Sequence, residues 1–147
     1  MRLAGRFWAG SHIDVVAGGL IEALSALRGQ VVEEPAFRAG PIIVATLAGD
    51  GDEVRCFLGA ELVEEGAAPA GLEALDIVAA DYAACWHRVA DGAVIDRYGD
   101  MLDWMRLHKV VRDRSRWLHR EEYPLHADFA RPDGLRLMVP VVAIGSG

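Results

Sequence analysis

The segment from Trp117 to Tyr123, WLHREEY, carries the residue types in this chain best suited to ligand chemistry. In an extended strand successive side chains point to opposite faces, so Trp117, His119, Glu121 and Tyr123 are expected to share one face. Rings supply contact area and a carboxyl supplies charge or a proton, so this face suits an apolar ligand pocket that contains a polar group. The alternative is a half-exposed antiparallel strand whose polar face meets water.

Glu121 is the central candidate within that segment. A carboxyl buried among rings either pairs with a cation or has its pKa raised toward the range of acid–base chemistry. Glu122 competes for the same role, because a bulge that slips the strand by one residue exchanges the two faces. Tyr123 is expected either to hydrogen-bond Glu121 or a ligand, or to pack in the core with its hydroxyl at the edge.

The tryptophans offer a second means of recognition. A cation held between indole rings gains up to ~2 kcal/mol for each desolvated cation–ring contact. Trp104 falls off the apolar stripe of its predicted helix by part of a turn, which would direct it toward a cleft, whereas position alone does not fix the face of Trp86. Ordinary core packing is the competing interpretation for all four tryptophans: Trp8, Trp86, Trp104 and Trp117.

Other chemistries fit the sequence less well. Cys85 and His87 could share a strand face, as required of a cysteine nucleophile and its histidine base. Side chains two residues apart on a strand need not be in contact, however. No metal or other cofactor is predicted. The spacing of the potential metal ligands matches no established site; these residues are His119, Glu121, His126 and Asp128.

Composition narrows the class of protein. With 147 residues, 52% of them hydrophobic, the chain is expected to form one domain over residues 1–147. The net charge of -7 and the pI near 5.1 argue against a nucleic-acid partner, which requires clustered Lys and Arg. Cys56 and Cys85 lie in apolar runs, as expected of inert thiols in a reducing compartment. The sequence shows neither a secretory signal pattern nor a membrane-length apolar run, so we expect a soluble, cytoplasmic protein.

The first half of the chain contains the elements of one folding unit. Residues 2–9 indicate a strand weakened by Gly5, and residues 15–28 indicate a helix that Ser11 or Asp14 could cap and that ends at Gly29. Residues 41–48 and 54–63 then predict a hairpin around an Asp-Gly turn.

The second half follows a small, acidic connector at residues 64–71. Residues 72–79 and 82–89 predict another hairpin, and a helix with apolar positions at Ile95, Tyr98, Met101, Leu102 and Met105 runs to about residue 111. The strand from Trp117 and a last strand at residues 135–144 complete the chain.

The two halves resemble each other, over about residues 1–65 and 72–147. Each reads as strand, helix, strand, strand, and LSALR at 24–28 matches LDWMR at 102–106. The sequence therefore predicts an α+β fold in which two such modules form one curved antiparallel sheet, covered on one face by two helices, with a concave ligand cleft between the halves. Pro140 is an objection, since proline is usually confined to strand edges or bulges.

With the repeat in view, the second half resembles the GyrI-like small-molecule-binding family, which includes gyrase-inhibitory proteins and the effector domains of AraC-type and MerR-type regulators. The first half is similar more loosely, through its helix and the hairpin VRCFLGAELV. The matching segments are YAACWH at 82–87, the helix pattern Tyr98, Leu102 and Trp104, EEY at 121–123, and LMVPV at 137–141.

The resemblance implies two strand-helix-strand-strand (SHS2) modules with a pocket between them. Family members bind lipophilic, often cationic compounds there, with aromatic walls and a buried acid whose matching position is Glu121. A subset of stand-alone members hydrolyses strained cyclopropane rings of DNA-alkylating natural products within an aromatic cage. This chain departs from the effector-domain pattern because it shows no helix-turn-helix segment, so we do not expect it to activate transcription itself.

Two functions compete on these grounds. In the first, the protein captures hydrophobic, possibly cationic xenobiotics or natural products in a cleft lined by Trp8, Trp86, Trp104, Trp117, His119, Glu121 and Tyr123. In the second, it is a hydrolase of cyclopropane-bearing compounds, in which Glu121 positions or deprotonates water and Tyr123 or His119 assists the leaving oxygen. A role as a protein inhibitor is a third interpretation, and a protein partner or a homodimer is left open.

Overall fold

The fold is taken from a computed structural model, which describes residues 1–47, 51–64, 66–115 and 117–142. Residue 48 of one predicted strand and residues 143–144 of another lie outside the described residues. The elements in chain order are β1 (Arg2–Ser11), α1 (His12–Val16), α2 (Gly19–Glu33), β2 (Ile42–Leu47), β3 (Glu53–Glu61), β4 (Glu73–Asp76), β5 (Asp81–His87), a short 3-10 helix (Val89–Asp91), α3 (Val94–Leu107), β6 (His119–Tyr123) and β7 (Leu135–Val141).

The strands form one open antiparallel sheet in the order β4-β1-β3-β2-β6-β7-β5. This confirms the predicted α+β class, with three α-helices among the described residues rather than two. The order contains two three-stranded units, β1-β3-β2 and β5-β7-β6, which meet where β2 pairs with β6. In each unit the outermost strand leads into the main helix, α2 or α3, so an approximate twofold axis passes between β2 and β6.

The predicted second hairpin, residues 72–79 with 82–89, is wrong. β4 pairs with β1 instead, and Arg2 holds its last residue, Asp76, at 2.7 Å. β5 pairs with β7 at the opposite edge of the sheet. The four residues 77–80 reach at most about 17 Å, whereas seven strands laid flat would separate the edges by about 29 Å. The sheet must therefore be strongly curved, as predicted, for so short a linker to join its two edges.

The helices cover one face of the sheet, which we call the helix face. Leu24, Leu27 and Val31 of α2 and Met101 and Met105 of α3 are buried there against the strands. In backbone contact α2 lies mainly on β1 and β3, while α3 lies on β5. The central strands β2 and β6 therefore lie between the two helices, where the predicted cleft belongs.

The first predicted helix is divided and longer than expected. Ser11 and Asp14 form a reciprocal cap on α1, and Gly18 then takes a positive φ of 95° that breaks the helix before α2. α2 continues past Gly29 to Glu33 because Val31 extends its buried stripe. Val16, which falls inside the helix predicted for residues 15–28, lies on α1 and is 88% exposed.

Gly5 does not weaken β1; close packing requires it there. A β-carbon at this position would lie 1.8 Å from the backbone oxygen of Leu58 in β3. Gly5 pairs with Gly59 of β3, so two glycines face each other where the strands approach most closely.

Pro140 is accommodated in β7 although that strand is internal. Its carbonyl accepts a hydrogen bond from the Asp113 amide at 2.9 Å, and the Val142 amide donates to Val111 at 2.8 Å. Pro140 therefore directs its backbone away from β5. Its missing N–H removes no bond from the ladder between β5 and β7, which removes the objection raised by the sequence.

Candidate functional site

Strand β6 places His119, Glu121 and Tyr123 on the helix face, as alternation predicts. Glu121 lies opposite Val44 of β2 on one side and Leu137 of β7 on the other, and both neighbours belong to the core on that face. The carboxyl group therefore rises from the middle of the sheet, beside the line where the two halves meet.

Tyr98 of α3 packs against the helix-face residues of β6. Its ring lies 4.9 Å from the His119 ring, centroid to centroid. Its hydroxyl lies within interaction range of Glu121, but it has no partner at full hydrogen-bond geometry among the described residues. Burial, followed by the nearby Glu121 carboxyl, raises the pKa of Tyr98 far above its ordinary value. The sequence had indicated Tyr98 as a position of the helix stripe and of the family pattern, but not as a neighbour of Glu121, since a helical period does not show which strand residue the ring will meet.

Glu121 has an unusual electrostatic environment for a carboxyl. Burial raises its pKa from 4.5 to about 7, and the Tyr98 hydroxyl acts in the opposite direction. Protein surrounds the side chain, and the residue as a whole is half-buried. Among the described residues no Lys or Arg forms a salt bridge with it.

His119 supplies an aromatic wall but little positive charge. Burial and the nearby Arg112 guanidinium lower its pKa from 6.5 to about 4, so the ring is neutral at neutral pH. Arg112 itself donates to the Leu118 carbonyl at 2.5 Å. The row beside Glu121 therefore offers neutral rings, and no Lys or Arg of the described residues forms a salt bridge with the carboxyl.

Tyr123 and Cys56 complete a cluster of perturbed groups around Glu121. Burial, followed by the Glu121 charge, raises the pKa of Tyr123 well above its ordinary value. Burial also raises the pKa of the Cys56 thiol, as does Glu121 more weakly. Tyr123 packs edge-on against Phe129, with ring centroids 5.6 Å apart. Such clustering of shifted groups is typical of functional sites, and the low acidity of Cys56 favours an inert thiol.

Trp8 lies on the helix face but far from Glu121. The ladder aligns it with Cys56, Thr46 and finally His119 across four neighbouring strands. Three strand spacings separate Trp8 from His119, about 14 Å. Its ring packs beside Gly19 at the start of α2, so Trp8 belongs to the far end of the same face.

The prediction that Trp117 shares the face of Glu121 is wrong. Trp117 precedes β6, and it packs on the opposite face with Ile43 and Phe57. There it stacks on Tyr82, with centroids 6.4 Å apart and planes inclined by 26°. Alternation cannot be extended back to residue 117, because the regular strand begins only at His119.

The two remaining tryptophans also lie away from Glu121. Trp86 of β5 is on the opposite face, where the Arg136 guanidinium lies 5.6 Å from its ring. Trp104 lies six residues after Tyr98 on α3, so the two side chains point in directions about 120° apart around the helix axis. It lines a groove of about 450 Å³ between α3 and β5, together with Arg97, Asp100 and Met101. The four tryptophans therefore do not form one cage.

Glu122, the competing acid, lies on the opposite face. It contacts Arg120 at 2.5 Å and Arg136 at 3.6 Å, and its side chain is 14% exposed. Arg120 is buried beneath the Tyr82 ring, 5.8 Å from its centroid. Glu122 therefore already has its cations, whereas Glu121 is unpaired in the described part of the chain.

Two other features bear on the kind of site. Within the described ranges no three side chains of His, Cys, Asp or Glu converge as metal ligands would. The helices of the described residues are all too short or too polar to cross a bilayer.

Comparisons with known proteins give fold relatives only. No family model matches the chain, and no curated protein sequence matches it. The structure of SAV2435 bound to tetraphenylphosphonium is similar at a TM-score of 0.69 and 10% identity, over 97% of this chain and 89% of that chain. A bacterial transcription regulation protein from Staphylococcus aureus MU50 is similar at a TM-score of 0.61 and 12% identity, over 97% of this chain and 93% of that chain. At these identities the similarity shows a shared fold.

Proposed function

We propose that this protein binds lipophilic cations in the cleft between α2 and α3, and that Glu121 is the counter-charge for the ligand. The observation that carries the proposal is the Glu121 carboxyl itself. It lies on the helix face at the junction of the two halves, in a setting that raises its pKa to about 7, with no cationic side chain paired to it among the described residues.

An unpaired carboxyl in such a setting favours a cationic ligand for a simple reason. Burial penalises the ionised form, and a bound cation removes that penalty by supplying the missing opposite charge. A strongly hydrated ammonium ion would lose its own solvation on entry, whereas a large delocalised cation loses little. The site therefore favours bulky organic cations over metal ions or small amines.

The surroundings of Glu121 support an aromatic or lipophilic ligand. Tyr98 and Tyr123 present π systems, and His119 is a neutral ring at neutral pH. Cations gain from contact with aromatic faces, by about 2 kcal/mol when desolvated. Ile95 and Leu102 lie one turn to either side of Tyr98 on α3 and are 75% and 40% exposed, which extends the apolar surface.

The fold relative adds independent support. SAV2435 was solved with tetraphenylphosphonium, a lipophilic cation. The shared fold makes the same compound the natural first probe for this chain. By analogy the biological ligand would be a hydrophobic, positively charged xenobiotic or natural product that the protein sequesters.

A matched pair of probes tests the proposal directly. Tetraphenylphosphonium and tetraphenylborate have nearly the same size and shape but opposite charge, so calorimetric titration with both separates charge recognition from hydrophobic uptake. We expect saturable binding of the cation and at least tenfold weaker binding of the anion. Equal affinity for both ions would contradict a counter-charge role for Glu121.

A hydrolase is the second candidate, favoured by one specific observation. A carboxyl with a pKa near 7 is suited to act as a general base at neutral pH, and Tyr98 or Tyr123 could donate to a leaving oxygen. A mass-spectrometric time course with a cyclopropane-bearing alkylator distinguishes the two functions. A product heavier by one water, formed over many turnovers and lost in Glu121→Gln, would identify an enzyme; intact substrate released from a saturable complex would identify a binding protein.

A further inference from the structure

The two edges of the sheet are built differently. β4 has four residues, and acidic side chains, Glu73 and Asp76, stand at its two ends. β5 has seven residues, pairs without a bulge along its whole length, and has small side chains at its centre. Short, charged edge strands resist pairing with other chains, whereas a long edge of small residues is a template for it. β5 is therefore the unprotected edge.

The free backbone groups of β5 can be assigned from its neighbour. Pro140 and Val142 direct their backbone groups away from β5, so alternation leaves the odd-numbered residues of β7 to bond Asp81, Ala83, Cys85 and His87. The N–H and C=O groups of Tyr82, Ala84 and Trp86 then point out of the sheet. Among the described residues only the Trp86 carbonyl has a partner, the Arg97 guanidinium at 3.2 Å.

The residues around the β5 edge include exposed aromatic rings and charged groups of both signs. The groove of about 450 Å³ beside Trp104 runs along Tyr82 to Cys85 and carries one group of each charge, Arg97 and Asp100. Ala84 is exposed, and Trp86 and Trp104 are 61% and 51% exposed. Exposed aromatic rings beside unpaired strand groups are typical of a protein interface.

We propose that two copies of this chain associate through antiparallel pairing of their β5 strands, about a twofold axis at Ala84. This register matches outward-facing groups with each other: Ala84 meets Ala84 of the second copy, and Tyr82 meets Trp86 of the second copy. The Ala84 pair can exchange two backbone hydrogen bonds. In each Tyr82–Trp86 pair the Trp86 amide can donate to the Tyr82 carbonyl, while the Trp86 carbonyl must share its acceptor oxygen with the Arg97 guanidinium of its own chain. The two sheets then continue as one sheet across the interface.

The side chains favour a second copy over an unrelated peptide, because a twofold interface must be complementary to itself. On the face opposite the helices Tyr82 of each copy pairs with Trp86 of the other, an aromatic cross-strand contact. On the helix face Ala83 lies opposite Cys85 of the second copy, and these small side chains leave room for Trp104. Arg97 and Asp100, in the same groove, provide both signs of charge that reciprocal contacts require.

A proline at position 84 tests the backbone pairing. The Ala84 amide points outward, so Ala84→Pro removes an intermolecular donor while leaving the bonds to β7 intact. Light scattering over a wide concentration range should give twice the 15.9 kDa chain mass for the wild type and the chain mass for Ala84→Pro, with unchanged near-UV circular dichroism. Ala84→Val, which keeps the N–H, should remain dimeric.

A cysteine at position 83 tests the register independently. In the proposed dimer Ala83→Cys places a thiol opposite Cys85 of the second copy, whereas the introduced thiol and Cys85 of its own strand are too far apart to bond. Treatment with diamide, which accepts the two electrons and two protons of the thiols, should yield a covalent dimer of Ala83→Cys and none of the wild type or Ala83→Ser. A monomeric wild type up to its solubility limit, a dimeric Ala84→Pro, or failure of Ala83→Cys to cross-link would each overturn the proposal; a monomer that binds an extended peptide along β5 would assign the edge to another partner.

Discussion

Glu121 and Glu122 are adjacent in the chain, yet their carboxyl groups lie on opposite faces of the sheet and in opposite electrostatic conditions. Glu122 contacts Arg120 at 2.5 Å, whereas Glu121 forms no salt bridge among the described residues and has its pKa raised to about 7. One step along β6 therefore separates a structural ion pair from a carboxyl that has no cationic partner in the described part of the chain.

The same substitution at the two positions should give two different results. Glu121→Gln is expected to weaken tetraphenylphosphonium binding tenfold or more at pH 8, a loss of about 1.4 kcal/mol, because the counter-charge is removed. Glu122→Gln leaves buried Arg120 without its anion and should lower the free energy of unfolding by roughly 3 kcal/mol with little change in affinity. Calorimetry and urea denaturation measure the two quantities. Loss of binding in Glu122→Gln alone would reverse our assignment of the pocket acid.

Cation binding should strengthen with rising pH. The cation prefers ionised Glu121, which is half ionised near pH 7 in the free protein. Affinity should therefore rise through pH 7 and level off above about pH 8, and it should be roughly tenfold weaker at pH 6 than at the plateau. Glu121→Gln should abolish this dependence. A flat profile for the wild type between pH 6 and pH 8 would be inconsistent with binding at this carboxyl.

Tyr98→Phe tests the hydroxyl that lies beside Glu121. The hydroxyl holds the carboxyl pKa below the value that burial alone would give, so its removal should raise that pKa further. The pH midpoint of cation binding should move upward, and affinity at pH 7 should fall severalfold while affinity at high pH is retained. Tyr82→Phe is the matched control, because its hydroxyl is also buried with no hydrogen-bond partner among the described residues but lies on the opposite face. Equal effects of the two variants would exclude a specific role for Tyr98.

Glu121 and His119 should have opposite effects on stability as the pH changes. The folded-state pKa of Glu121, about 7, exceeds its ordinary 4.5. The folded chain therefore binds a proton more tightly at this group than the unfolded chain does, and the group lowers the stability of the fold as the pH rises from 4.5 to 7. The folded-state pKa of His119, about 4, is below its ordinary 6.5, so this group lowers stability as pH falls through that window. Each effect amounts to about 3 kcal/mol, and they oppose each other where the windows overlap.

Single substitutions should reveal each effect separately. Relative to the wild type, Glu121→Gln should lose stability more steeply as pH falls from 6.5 toward 4, and His119→Asn more steeply as pH rises from 4.5 to 7. Urea denaturation at several pH values measures both slopes, with His126→Asn as an exposed control. Parallel profiles for all four proteins would show that neither group is buried as described.

The sequence predicted correctly those features of the fold that depend on residues close together in the chain. Alternation within β6 is local, and it correctly placed His119, Glu121 and Tyr123 on one face. It failed at Trp117, two residues before His119, because the regular strand had not yet begun. Helix periodicity correctly identified α3, yet Ile95 and Leu102 of its predicted stripe are exposed, since a period does not reveal where the covering strands end.

By itself the sequence determined the local properties: the α+β class, the alternation that separates Glu121 from Glu122, and the duplicated order of elements. Only the tertiary structure decided the relations between distant segments. It placed β4 and β5 at opposite edges of the sheet, brought Tyr98 over His119, and distributed the tryptophans over both faces. The physical reason is that strand partners and helix–sheet contacts depend on burial summed over the whole chain, whereas side-chain direction within a strand depends only on its own backbone.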